Sequence, residues 1–279
     1  MRPTVQLSSV CSLATLLLVG PGAPALALSA APESGTCALD GATPVTVVAI
    51  GADFAIGLDD GRRVALAGLE LPPPLDDAGA VAAVRTRLSD WLLGKQVFVG
   101  AFSEKSDRWG LLPARIFAAV SEEKMAPLIS VGAALLEAGV ARFRPDRLAA
   151  DCVRAYLDAE AIARAEGVGL WAVPTLRPVI VPSEAGDALA RRRGMTIVEG
   201  VIRSTGATAG AFYLNFGGGK GREFSVVISR RISYKNFPSG FDPAHFVGRR
   251  VRVRGLIETG FGPRLEIAYP EEIETVEQP

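Results

Sequence analysis

One histidine, three cysteines and no surplus of charge leave this chain of 279 residues short of several common chemistries. The single histidine, His245, falls in a predicted short helix and reads as a packing or surface residue rather than a catalytic base. One histidine with so few cysteines does not make a structural zinc site, which takes four nitrogen or sulfur ligands. Lys+Arg 30 against Asp+Glu 30 gives a formal net charge of zero, so composition supplies no bulk attraction to nucleic acid or to an anionic membrane. Long apolar runs are missing too. The run over residues 10–20 is broken by Gly20, Pro21, Gly22 and Pro24, well short of the roughly 18 residues that a spanning helix needs.

What is present at the N-terminus reads as a secretory signal over residues 1–27. Arg2 supplies the positive end, residues 10–20 the apolar core, and Ala25-Leu26-Ala27 a small-residue cleavage site. The alternative is a membrane anchor. The signal reading predicts an exported protein, periplasmic or secreted, with no integral membrane segment once the signal is removed. Cys11 goes with the signal, leaving Cys37 and Cys152. In an oxidising compartment these two are candidates for a disulfide, and a pair of buried thiols is the alternative.

The length accommodates two ordinary domains or one large one. Residues 45–73 organise the first. Apolar runs flank Asp59-Asp60-Gly61, a strong hairpin signal because glycine supplies the positive φ of the turn. The last strand of the stretch stops at Leu71-Pro72-Pro73-Pro74, since proline cannot donate to a ladder. Apolar spacing then predicts a helix over 76–93, strands over 95–102 and 111–120, and helices over 127–138 and 145–166. Pro113 places the second of those strands at an edge or a bulge.

Four features in order resemble the staphylococcal-nuclease (thermonuclease) family: the strand over 64–72, Asp107-Arg108-Trp109-Gly110, Leu135-Leu136-Glu137-Ala138-Gly139, and Gly169-Leu170-Trp171. The resemblance covers roughly residues 45–173. It implies a fold that is mainly β with α (α+β), an OB-type barrel carrying three helices, over a domain of 38–173. It also implies phosphodiester chemistry. Such chemistry takes a cation on hard oxygen ligands, positive donors on the phosphoryl oxygens, and a carboxylate for the attacking water.

Carried over position by position, most of that machinery is replaced. The family's first arginine falls on Ala65, its second on Leu111, and its water-handling glutamate on Pro73. The calcium aspartates fall on Asp53 (or, aligned without a gap, Phe54) and on Glu70. Arg63 and Arg115 are the nearest substitutes for the arginines. No cofactor is expected, except calcium on Asp53 and Glu70 if the nuclease site survives. Removing one transition-state donor commonly costs about 10²–10³ in rate. The expectation is therefore a catalytically degenerate binding or scaffold module. The alternative is an active calcium-dependent phosphodiesterase cleaving DNA or RNA with relocated residues.

Residues 174–194 read as a proline-stiffened linker, with Arg191-Arg192-Arg193 as a basic run. From 195 to 279 the pattern is strand after strand: 196–203, 212–216, 223–229, 250–258 and 263–268, with a short helix over 242–247 before the fourth. Five strands with that insertion look like a second OB-type barrel, similar to the accessory domain of some bacterial thermonuclease-like proteins. OB-folds often bind oligonucleotides on one face. Tyr213 and Phe216 are candidate stacking residues, and Arg252 and Arg254 candidate phosphate contacts. Lys/Arg number 14 against 17 Asp/Glu over 45–173, and 11 against 8 over 195–275, so neither domain is strongly basic. The expected partner is a weakly held nucleic acid or an envelope protein.

Overall fold

Strand β1 (Thr43–Ile50) turns at residues 51–55 into β2 (Ile56–Leu58), which hairpins into β3 (Arg63–Leu66). The hairpin closes on the expected turn, with Gly61 at φ 84° and the Leu58 amide donating to the Arg62 carbonyl. The structure, a computed structural model, describes residues 37, 39–71, 78–123, 125–145, 152–181, 189, 192, 194–217, 223–259 and 262–276. The expected signal over 1–27, Pro73, Arg191 and Arg193 lie outside the described residues.

After β4 (Leu69–Glu70) and helix α1 (Ala78–Leu92), strands β5 (Gln96–Ala101) and β6 (Leu112–Ala119) complete the first sheet. β1 pairs with β2 and β5, β5 with β6, and β3 lies parallel to β6, so five strands close into a barrel. Val47, Ile56, Val64, Val97, Val99, Ala114 and Ile116 fill its interior, and Leu88 and Leu92 of α1 join that core. Pro113 is at neither a sheet edge nor a bulge, contrary to the sequence expectation. It sits near the start of β6, opposite Ala65, where the ladder to β5 ends and its missing N–H is not needed.

The helix expected over 127–138 begins later, because β7 (Leu128–Ser130) pairs with β6 and Ser130 caps α2 (Val131–Glu137) through the Ala133 amide. β8 (Arg142–Phe143) pairs with β4, and α3 (Val153–Glu166) follows. Two of the motifs separated in sequence meet here. Gly139 and Gly169, both at positive φ, pack backbone to backbone, and the Leu170 amide donates to the Gly139 carbonyl. A Cβ at either glycine would collide with the other segment. Cys37 and Cys152 form a disulfide, tying the segment before β1 to the start of α3 across a separation of 115 residues. A loop that long contributes about 4–5 kcal/mol in the chain-entropy account.

The stretch read as a linker is ordered in part as structure. β9 (Val179–Ile180) adds a parallel strand to β10 (Met195–Val201), and Val179 and Val181 enter the second core. Then come β11 (Ser204–Ala207), β12 (Ala211–Asn215), β13 (Ser225–Ser229), α4 (Arg230–Asn236), β14 (Arg250–Thr259), β15 (Pro263–Glu266) and β16 (Ile273–Thr275). The sheet runs β11-β12-β13-β15-β14-β10-β9, with β16 on β14. The expected helix over 242–247 is a single 3₁₀ turn, Pro243–Phe246. α4 was not expected. The protein is therefore mixed α+β and mostly strand, with four helices among the described residues. None of them is long and apolar enough to cross a membrane. These two sheets and the separate two-stranded β4–β8 sheet belong to one compact unit, Ser34–Pro279.

Candidate functional site

The outer face of the first barrel collects Arg63, Ala65 and Arg115. Val64 and Leu66 point inward in β3, as do Ala114 and Ile116 in β6, so their neighbours point outward. Arg63 pairs with Asp53 at 3.3 Å, both half exposed. Asp53 also accepts from the Ala55 amide, in the tight corner where Phe54 adopts φ 61°. Arg115 donates to the Asp40 carbonyl at 2.9 Å and lies 5.4 Å from the centre of the Phe102 ring. Ala65 and Leu111 offer no charge at the positions that the resemblance gives to the two arginines.

Glu70 is elsewhere engaged. It stands directly opposite Arg142 in the β4–β8 pair, and the two side chains meet at 2.5 Å. Arg142 donates in turn to the Met195 carbonyl at 2.7 Å, which begins β10. Calcium takes six to eight oxygen ligands. The two carboxylates expected to hold it are each matched to a separate arginine, and among the described residues no three His, Cys, Asp or Glu converge on a metal position. The residues present do not fit a calcium centre.

Among the described residues, a run of charge lies where α3 meets the face of the second sheet formed by β10, β14 and β16. A ladder of ion pairs runs Arg164–Glu160–Arg254–Glu274–Arg252–Glu199–Arg250, with contacts of 2.8–3.2 Å. Glu160 is fully buried and also accepts from the Phe143 amide, while Arg254, 1% exposed, donates to the Phe143 carbonyl. Around it, Trp171 packs with Ala163 and Ile197. Burial opposes the charge on Arg252, but Glu274 and then Glu199 outweigh it and hold its pKa above the ordinary value. Arg164 goes the other way. Burial first, and then repulsion from Arg252, lower its pKa against the pull of Glu160 and Glu274.

This seam corrects part of the expected nucleic-acid face. Arg252 and Arg254 pair with glutamates on three different elements instead of facing solvent, and Phe216 is fully buried against Phe224 at 5.1 Å between ring centres. Phe216 offers no stacking face because strand alternation puts it, with Leu214, in the core. Tyr213, on the opposite face, is half-buried. Sequence reasoning missed Glu160, Arg142, Glu199 and Glu274. One signal was available for Glu160. It sits on the buried stripe Tyr156, Ala159, Ala163 of α3, where an isolated carboxylate demands a buried partner.

Two clefts open beside the seam. One, of about 680 Å³, lies where Arg164, Trp171, Arg177, Ile180, Glu199 and Arg252 meet. The other, of about 430 Å³, is bordered by Glu70, Met195, Leu256, Glu266 and Glu272. Burial raises the pKa of Glu272, opposed by the Tyr269 and Ala268 amides that donate to its carboxylate. The sequence matches no protein-family model, and no curated protein matches it.

Proposed function

We propose that this is an exported, thermonuclease-like protein that has given up phosphodiester hydrolysis and works as a binding or scaffold module, with an envelope protein or a weakly held nucleic acid as its partner. The carrying observation is Glu70. The carboxylate that calcium chemistry would need is paired with Arg142, which is itself anchored on the Met195 carbonyl of β10. Two further features support the family reading. The barrel closes through a parallel β3–β6 pair, the closure expected of an OB-type fold. The second sheet follows the same plan if β10 and β11, separated only by Ile202 and Arg203, are one bent strand, because β13 and β15 then close it in parallel.

The test is cleavage of fluorescent single- and double-stranded DNA by the mature protein, with excess calcium and then with chelator, beside an active thermonuclease. The expected result is no turnover above background. Chelator-sensitive turnover within about a thousandfold of the active enzyme, the margin of a single lost donor, overturns the proposal and directs attention to Arg63 and Arg115.

A further inference from the structure

The cleft at the Arg164 end of the ladder has the chemistry of an anion site. The ladder holds four guanidiniums to three carboxylates and ends at this cleft on an arginine. Among the described residues Arg164 makes a direct ion pair only with Glu160, which it shares with Arg254. Arg177 lines the same cleft and makes no ion pair among the described residues. Its Nε and Nη2 rest on the carbonyls of Trp171 and Ala172, which orient the guanidinium without neutralising it. Trp171 completes the wall. It is 1% exposed, its Nε1–H has no acceptor among the described residues, and the Arg164 guanidinium lies 5.7 Å from its ring centre.

Guanidiniums that outnumber the carboxylates around one cleft attract an anion, and planar arginine forks match the oxygens of phosphate and carboxylate. The cleft volume falls in the range of small-molecule sites, and the Pro178 and Ile180 rim supplies apolar contact for the body of such a ligand. Glu199 on the far wall is already tied to Arg250 and Arg252. Exposed Glu166 at the rim is the one carboxylate there that works against an anion.

We propose that this cleft binds a small oxyanion, a phosphate or carboxylate group, between Arg164 and Arg177, beside Trp171 in the cleft lining. The site is separate from the Asp53–Ala65 face. It does not rest on the loss of nuclease activity, since a protein that cleaved DNA would carry the same cleft.

The experiment titrates the mature protein with sodium phosphate and, separately, sodium acetate, at an ionic strength held constant with sodium chloride. Melting temperature and tryptophan emission are followed together. The expected result is saturable stabilisation by at least one of the two anions, with a matching emission change that disappears in Trp171→Phe. Tighter binding of phosphate assigns a phosphoryl ligand, and tighter binding of acetate a carboxylate. Arg177→Gln, which touches no ladder partner, should weaken binding at least tenfold while leaving the unliganded melting temperature nearly unchanged. A response no greater than that to chloride, or equal affinity in Arg177→Gln, overturns the proposal.

Discussion

Asp53 and Glu70 are each paired to an arginine, yet the two pairs live in different surroundings. Asp53 and Arg63 lie on the barrel's outer face with about half of each side chain exposed, and they belong to one hairpin region. Glu70 and Arg142 lie mostly out of water, and the arginine reaches across to the second sheet. The same contrast holds between that outer face and the whole seam. On the face, water screens the ion pair, and what the backbone takes from Asp53 is an acceptor oxygen for the Ala55 amide. In the seam the charges, except Arg250 at its open end, are mostly desolvated and are tolerated only because their partners are in place. Where a charge sits relative to the second sheet, more than its residue type, decides what it does.

The strongest way to test that contrast is Glu160→Gln. This change leaves Arg254 and Arg164 short of their shared carboxylate in a fully buried setting, and it should destabilise by about 3–5 kcal/mol in urea unfolding. A loss below about 1 kcal/mol would mean that water reaches the seam, and the contrast with the outer face would collapse. Glu70→Gln comes next, at about 1.5–3 kcal/mol, the range for a hydrogen bond to a charged group. Because that loss arises from Arg142, it should be the same with calcium and with chelator. A loss that appeared only with calcium would restore Glu70 as a metal ligand.

The legible parts of this molecule were those set by local chemistry. Asp59-Asp60-Gly61 announces its turn because only glycine takes φ 84° there without strain, and the five main strands of the second sheet follow from alternation broken by glycines. The ladder was illegible for a physical reason. Arg252 and Arg254 alternate with valines in β14 as surface residues do, and nothing local tells solvent from a packed helix as the medium on that face. Their ion-pair partners come from α3, β10 and β16, at separations of up to 94 residues. α2 was misread at its start because Leu128–Ser130 is apolar enough for either element, and pairing with β6 decides in favour of strand.

A third test uses pH to probe how dry the ground beside the seam is. Glu272 has its pKa raised above the ordinary 4.5, first by burial. The native state thus holds the proton more tightly than the unfolded chain. Between the unfolded and the folded values the native state carries more protons, and stability falls as pH rises through that window. Above it the loss is complete and constant. Glu272→Gln keeps an oxygen for the Ala268 and Tyr269 amides but cannot ionise. Its stability relative to the parent should therefore climb from pH 4 towards neutrality and then level. A difference flat across that range would mean that the carboxylate is well hydrated.

The smallest expected effect is the one that isolates the outer face. Asp53→Ala removes an exposed ion pair worth about 0–1 kcal/mol, together with the acceptor of the Ala55 amide. Asp53→Asn separates the two, because it retains an oxygen for Ala55 while losing the charge. If the face is as indifferent to charge as its exposure implies, Asn should fall within about 0.5 kcal/mol of the parent, inside the ordinary scatter of surface substitutions. Alanine should fall slightly lower, by the cost of relaxing the corner that holds Phe54 at φ 61°. An asparagine variant as damaged as alanine would mean that the charge itself organises the corner. The outer face and the seam would then differ only in degree.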